Sequence, residues 1–442
     1  MKKIVVLGAG ESGVGTAILA AQKGYEVLVS DSGQIPDRYV QMLEAHQITW
    51  EECGHTASRI LDADEVVKSP GIPDTAPIIQ AIIDNSIPVL SEIEFAARYT
   101  NGHCVCITGS NGKTTTTTLI HYIFQRAGLR VGLAGNIGRS FARQVAEDDK
   151  DWYVLELSSF QLDNMYGFRA AIAVLMNITP DHLDRYGYDF QRYTDAKMRI
   201  IQNQDKRNCL IYWAGDPTVC RELKKREGDY RAPATTPTGH TAAPGHPNLI
   251  GFTDDAFQQL QLSFSQMGRH NQRNATAAYL ACRAAGIADD IIRQCLDDFP
   301  GVEHRLEKVC EQEGVLWIND SKATNVDACL VALQAMDRPT VLIVGGKDKG
   351  NDYTVLHNII RQKCRALVYL GADNDTLHRN FDALGLPVAD THCMADCVAA
   401  CRGFAEEGDA VLLSPCCASF DLFRNMEDRG EQFRACVRQT AG

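Results

Sequence analysis

Gly109-Ser110-Asn111-Gly112-Lys113-Thr114-Thr115 follows an apolar run at 104–108 and leads into a helix-like run at 116–126. A strand, a glycine loop, Lys-Thr and a helix, in that order, are how a parallel-sheet α/β domain grips a nucleotide triphosphate. The backbone N–H groups of Gly109, Ser110, Asn111 and Gly112 and the helix start at Thr115 face the phosphates, and the helix dipole favours their charge. Lys113 neutralises the outer phosphates, and the Thr114 hydroxyl suits Mg²⁺. The usual loop holds four residues between its glycines. Here only Ser110 and Asn111 separate Gly109 from Gly112, which argues against ordinary kinases and GTPases.

Downstream, Tyr153-Val154-Leu155-Glu156-Leu157-Ser158-Ser159 places a carboxylate where a buried strand is about to end. A further strand at 171–177 runs into Thr179-Pro180-Asp181-His182-Leu183-Asp184. The phosphate loop, Glu156 and His182 therefore all lie at strand C-terminal ends, where one crevice collects them. Glu156 suits Mg²⁺, a hard cation that takes oxygen ligands. Another strand is predicted at 209–213. Between 221 and 246 the pattern dissolves into charges and then Ala, Pro, Thr, Gly and His, the signature of a surface excursion.

Upstream, a strand at 4–7 meets Gly8-x-Gly10-x-x-Gly13, then a helix to Lys23, Gly24 as a stop, and a strand at 27–30 ending at Asp31. That βαβ pattern fits an NAD enzyme, but any nucleotide diphosphate can use the same turn and helix N-terminus. An oxidoreductase would leave the Lys113 loop unexplained. A strand at 65–68 ends in the stiff loop Ser69-Pro70-Gly71-Ile72-Pro73, and 88–92 reads as a connection between domains. A third unit begins near Phe299-Pro300-Gly301, with strands at 316–318, 341–344, 367–370 and 410–413 alternating with helices. The expectation is an α/β protein of three domains, 1–91, 92–299 and 300–442. The outer two are Rossmann-like, and a central parallel-sheet domain carries the phosphate loop.

The 442 residues are 45% hydrophobic and 23% charged, an ordinary globular mix. No apolar run is long enough for a membrane span. The basic start, Met1-Lys2-Lys3, leads into a run that stops at Gly8, so it reads as a strand rather than an export signal, and a cytoplasmic enzyme is expected. The net charge of −12 argues against a nucleic-acid partner. Nothing sets the oligomeric state, and a monomer is favoured. The 16 cysteines are expected to be free thiols, and no Cys-x-x-Cys pair suggests structural zinc. Cys393, Cys397 and Cys401 repeat every four residues and read as a buried helix face. Cys416-Cys417 reads as packing near an active site, not as a nucleophile.

The phosphate-loop stretch, Gly135-Asn136-Ile137-Gly138, Glu156-Leu157-Ser158-Ser159-Phe160-Gln161-Leu162, Asn177-Ile178-Thr179-Pro180-Asp181-His182-Leu183-Asp184 and Gly268-Arg269-His270-Asn271 together resemble the Mur ligases, in order. The resemblance continues through Glu303-His304-Arg305, Asn319-Asp320-Ser321-Lys322-Ala323-Thr324-Asn325 and Leu413-Ser414-Pro415-Cys416-Cys417-Ala418-Ser419-Phe420-Asp421. It spans essentially the whole chain, and the short loop is normal in that family. The last two segments resemble the branch that adds D-glutamate to UDP-N-acetylmuramoyl-L-alanine. The Asp-Asn-Pro-Arg motif of the diaminopimelate-adding relatives is absent.

The resemblance implies ATP-driven amide synthesis through an acyl phosphate, with two Mg²⁺ ions. Thr114 and Glu156 would hold the first ion, with Glu156, His182 and Lys197 near the second. By pattern alone Lys197 is a solvated helix lysine, and a free ammonium would repel Mg²⁺. The matching family lysine is carbamylated, which makes it an anionic ligand. Asn271 and Asn274 match residues around the base and ribose of ATP, and Arg305 and Asp320 its phosphate and ribose contacts. Glu11, Ser12, Asp31, Ser32 and Gly71 match the uridine-diphosphate site, with Gly33 where some relatives place an arginine. Asn136, Ser158 and His182 match positions near the muramoyl–alanine part. Lys322, Thr324, Lys349, Ser419 and Phe420 match the D-glutamate pocket, with Lys347 an alternative to Lys349. Ser419 is expected to cap a helix starting near Phe420, whose N–H groups would bind a carboxylate. Ligands at domain junctions imply closure, with a hinge near Pro300-Gly301.

Overall fold

A computed structural model of the chain describes residues 1–226, 247–348 and 350–439. Of the expected excursion, 221–226 completes the helix Pro217–Arg226, and 227–246 lies outside the described residues, as does Lys349.

Three sheets organise the chain. The first has the order β3-β2-β1-β4-β5, formed by Lys3–Leu7 (β1), Glu26–Ser30 (β2), Thr49–Glu51 (β3), Glu65–Lys68 (β4) and Val89–Leu90 (β5), all parallel. Ile4, Val5, Val6 and Leu7 are fully buried because β1 is central and covered on both faces. A Cβ on Gly13 would lie 1.8 Å from the Gly8 carbonyl oxygen, so only glycine lets the helix Glu11–Gln22 start this close to β1. The expected connection at 88–92 is corrected in part. Val89 and Leu90 pair with Val66 and Val67 as an edge strand, and Ser91 then caps the helix Glu92–Ala96.

The second sheet runs β11-β10-β9-β6-β8-β7, from His103–Thr108 (β6), Val131–Gly135 (β7), Trp152–Glu156 (β8), Ile172–Leu175 (β9), Cys209–Trp213 (β10) and Asn248–Phe252 (β11), again all parallel. The register pairs Ile107 with Glu156 and Thr108 with Leu175, so β6, β8 and β9 end side by side. Their C-terminal ends form the edge where ligands bind in open α/β sheets.

The third runs β12-β13-β17-β14-β15-β16, from Glu307–Gln312 (β12), Val315–Asn319 (β13), Thr340–Gly345 (β14), Cys364–Leu370 (β15), Val388–Thr391 (β16) and Ala410–Cys416 (β17). Only β12 is antiparallel, hairpin-linked to β13. The chain divides into two compact units. One is Met1–Phe264 with Asn271–Phe299, holding the first two sheets; the other is Ser265–His270 with Pro300–Gly442, holding the third. No helix among the described residues is long and apolar enough to cross a membrane.

Candidate active site

In the first unit the phosphate loop leaves β6 and turns into the helix Lys113–Arg126 at Gly112, whose φ is +85°. A Cβ there would also come within 2.5 Å of Asn274 Oδ1, so glycine is required twice over. Asn274 therefore lies against the loop, and its Nδ2 donates to Asn271 Oδ1 at 3.1 Å. The two residues between the glycines commit their polar groups to the chain after β9. Ser110 Oγ donates to Thr179 O at 2.7 Å and lies 3.0 Å from the Tyr193 hydroxyl. Asn111 N donates to Asn177 Oδ1 at 2.9 Å, and Asn177 Nδ2 returns a bond to Asn111 O at 3.1 Å. This stitching ties a short loop to the segment that carries His182. Lys113 Nζ donates to Gly109 O and Ser110 O at 2.8 and 2.9 Å, curled over the loop at the helix start, and Thr114 and Thr115 follow it, both buried.

Glu156 closes β8 and is 1% exposed. Its Oε1 accepts from Asn136 Nδ2 at 2.9 Å, while Oε2 is buried with no hydrogen-bond partner. A buried carboxylate oxygen left without a donor is costly unless something cationic meets it, so Glu156 fits a metal ligand. Two residues on, Ser158 accepts from Gln161 N and forms a capping box on Ser159–Asp163, so the helix cap is Ser158 and not Glu156. His182 sits in the left-handed region, φ 50°, with its side chain exposed and its ring edge-on to Phe160 at 5.3 Å. No group of three or more His, Cys, Asp or Glu side chains able to hold a metal occurs among the described residues. A metal here would need further oxygens from Thr114, a modified Lys197 or the nucleotide.

Lys197 corrects the expectation of a solvated side chain, since it is 2% exposed. The helix Phe190–Met198 buries Tyr193, Thr194, Ala196, Lys197 and Met198, and the Lys197 amine lies 4.9 Å from the centre of the Tyr193 ring. Burial, and then the nearby Lys113 charge, push its pKa well below the usual lysine value, against the pull of Asp181, Glu156 and Asp163. A lysine shifted in this direction gives up its proton more readily than a solvated one.

At the first sheet, Asp31 accepts from Ala9 N at 2.7 Å and Gly33 N at 2.8 Å, so it buttresses the glycine loop. Glu11 accepts from Ser140 N at 3.2 Å and the Tyr39 hydroxyl at 3.4 Å. Ser12 follows Glu11 in the first helical turn, and Ser32 and Gly71 are exposed on neighbouring loops.

In the second unit, Asp320 follows β13 and is 5% exposed. It accepts from Ser414 Oγ at 2.9 Å and Leu306 N at 3.1 Å. Burial raises its pKa to about 7, moderated by the Arg305 charge. Lys322 N donates to His304 O at 3.0 Å, and Thr324 N to Lys322 O at 2.9 Å. Lys347 is exposed and pairs through its backbone with Ala418. Ser419 is buried and Phe420 is 68% exposed. The helix expected near Phe420 does not form. Phe423 N bonds Ser419 O in a single turn, and Asn425 Oδ1 takes Asp428 N, so the helix begins at Met426. A competing cap displaced it by six residues.

Sequence reasoning missed Arg429, which no motif marks. It is 1% exposed and donates to Ser321 Oγ and O, both at 2.9 Å, and to Cys417 O at 3.2 Å. It joins the loops after β13 and β17, and although burial lowers its pKa to about 10 it stays charged at neutral pH. Cys416 and Cys417 are buried, with Cys417 Sγ 3.0 Å from the Tyr353 hydroxyl, and burial raises both thiols, which suits packing and not nucleophilic attack. Cys397 and Cys401 are buried as expected, but Cys393 is exposed at the helix cap.

Comparison with known proteins covers the whole chain. The family description "Mur ligase MurD-like, N-terminal domain" matches residues 2–91, "Mur ligase middle domain" 107–282 and "Mur ligase, glutamate ligase domain" 304–417. A protein of Bacteroides fragilis named UDP-N-acetylmuramoylalanine--D-glutamate ligase is 56% identical over 99% of this chain and 100% of its own. One of the same name from Porphyromonas gingivalis is 50% identical over 98% and 97%. Among solved structures, MurF from Acinetobacter baumannii aligns with a TM-score of 0.61 at 14% identity, over 98% of this chain and 93% of that one. UDP-N-acetylmuramate-alanine ligase MurC from Thermotoga maritima aligns with a TM-score of 0.58 at 18% identity, over 100% of both chains. These two share the fold. Across all three sheets, the chain belongs to the Mur ligase family, in its MurD-like branch.

Proposed function

We propose that this chain is an ATP-dependent ligase that joins D-glutamate to UDP-N-acetylmuramoyl-L-alanine, a step of peptidoglycan synthesis. The observation that carries the reading is the full-length match at 56% identity to a relative bearing that activity's name. The residues at the ends of β6, β8 and β9 support the same reading. A carboxylate is a poor acyl donor near neutral pH. Its oxygen attacks the γ-phosphorus of ATP, ADP leaves, and an acyl phosphate results. The amine of D-glutamate then attacks the acyl carbon, loses a proton, and the tetrahedral intermediate expels phosphate. Two anions must approach, so positive charge has to surround the transferring group.

In this reading Lys113 and the loop N–H groups hold the phosphates, with Asn271 and Asn274 at the base and ribose. Thr114 and Glu156 would hold one Mg²⁺, and Glu156, His182 and a carbamate on Lys197 a second. Bound Mg²⁺ would supply charge neutralisation of the phosphoryl oxygens. The burial of Lys197 and the downward shift of its pKa support the carbamate, because only an unprotonated amine adds to carbon dioxide. Glu11, Ser12, Asp31, Ser32 and Gly71 would take the uridine-diphosphate part, and Asn136, Ser158 and His182 the muramoyl–alanine end. In the second unit, Arg305 and Asp320 would serve ATP, and Lys322, Thr324, Ser419 and Phe420 D-glutamate, together with Lys347 or Lys349.

Phosphate release tests the reading. It is expected only when ATP, UDP-N-acetylmuramoyl-L-alanine and D-glutamate are all present. Equal release without the amino acid would contradict amide synthesis.

A further inference from the structure

Arg185 lies three residues past His182, and no motif singles it out. Its guanidinium donates to three consecutive carbonyls of the loop after β4: Gly71 O at 3.3 Å, Pro70 O at 3.3 Å and Ile72 O at 3.4 Å. Its own flank stacks on Phe160, 4.4 Å from the ring centre, and Phe160 is the ring that meets His182. No carboxylate pairs with Arg185 among the described residues, so its donors serve the loop.

Arg185 is the residue of the second sheet's domain that reaches all three of these carbonyls. A cavity of about 640 Å³ adjoins the loop's far end, lined among others by Lys68, Pro73, Asp74, Asp163 and Arg185. Ile72 packs its side chain against the apolar cluster of the first sheet, and the polar contacts of Arg185 fix the carbonyls on the loop's other side. Lys68 adds one further bond, to Ile72 O at 3.1 Å.

The peptide geometry then has a consequence. In a trans peptide the C=O and the following N–H point in opposite directions. With the Pro70 carbonyl turned to Arg185, the Gly71 N–H faces the other way. The Ile72 N–H is already used, donating to Ser69 O at 3.1 Å. Gly71 N makes no hydrogen bond within the described chain, and Gly71 is exposed. The loop packs over the glycine turn, where a Cβ on Gly8 would touch Ser69 Oγ at 2.5 Å.

We infer that Arg185 is a positioning residue that sets the Gly71 N–H as a donor to an anionic oxygen of the UDP-linked substrate. This rests on the ligase reading above. The loop acts as a preset anion contact, and the conformational cost of ordering it is met before the substrate arrives.

Isothermal titration of the full-length chain tests this with UDP-N-acetylmuramoyl-L-alanine and, separately, a non-hydrolysable ATP analogue. Arg185→Ala is expected to weaken the UDP substrate about tenfold, as for loss of one charge-assisted bond, and to leave the ATP analogue within about twofold. In turnover, KM for the UDP substrate rises while kcat at saturation holds. Arg185→Lys recovers little, because an ammonium cannot span three carbonyls. Unchanged affinity for the UDP substrate in Arg185→Ala, or an equal loss for both ligands, would overturn the inference. A wild-type chain that binds ATP analogue but no UDP substrate would overturn the ligase reading, and this inference with it.

Discussion

Lys197 and Glu92 show how much a residue's neighbours decide. Both are buried titratable groups, and burial pushes each toward its neutral form. For Lys197 that shift favours the carbamate of the proposal. Lys197→Ala is expected to lower turnover about 100-fold or more, with partial recovery by added short-chain carboxylates that stand in for the carbamate. Full activity in the variant would remove Lys197 from the site. Glu92 accepts from Ser140 Oγ at 2.5 Å and Ala142 N at 3.1 Å, while its Oε2 has no partner. Burial raises its pKa from 4.5 to about 7. A raised carboxyl binds its proton more tightly in the folded chain. Its contribution is therefore full below pH 4.5 and is lost as pH rises to about 7, an effect of about 3 kcal/mol. Glu92→Gln should gain thermal stability relative to wild type between those two pH values. A constant difference in melting temperature across the window would refute the assignment. The positions of Lys113, Glu156 and His182 just past or at strand ends were legible in the sequence, because motifs mark them there. Glu92, Arg185 and Arg429 were not, because what makes each distinctive is its distant partners.

At the scale of elements, the sequence is read best where strands are central. The runs at 4–7, 104–108 and 209–213 are apolar because helices or loops cover both faces. The strands not anticipated are short or lie at edges: β3, β5, β11, β12 and β16 have weak or mixed apolar runs. Val131–Gly135 escaped because two of its five residues are glycine, one of them packed against the Tyr153 ring. The helix expected at Phe420 shows the same limit from the other side, since a good cap at Ser419 lost to Asn425. The glycine turn of the first sheet is the element most sensitive to a single atom. Gly13→Ala would force a methyl into the Gly8 carbonyl, and the helix Glu11–Gln22 would have to shift off β1. A loss of about 3 kcal/mol is expected in urea unfolding. A loss under 0.5 kcal/mol would show that the helix relaxes freely.

Across the whole molecule, alternation of strands and helices was enough to forecast three parallel-sheet domains, and the order of motifs was enough to forecast the family. The dinucleotide-like fingerprint at Gly8 to Gly13 is the instructive case. Alone it points to a nicotinamide enzyme; beside the Lys113 loop and in a Mur ligase chain, the proposal gives it a different nucleotide diphosphate. The central claim is that this chain selects D-glutamate as the amino acid joined to the activated carboxylate. The direct test is phosphate release with ATP and UDP-N-acetylmuramoyl-L-alanine across a panel of D-glutamate, L-glutamate, L-alanine, L-lysine and diaminopimelate. The account predicts release with D-glutamate at least about 100-fold above the others, the discrimination expected of a site built to hold two carboxylates. Preferred turnover of L-alanine, L-lysine or diaminopimelate would contradict it.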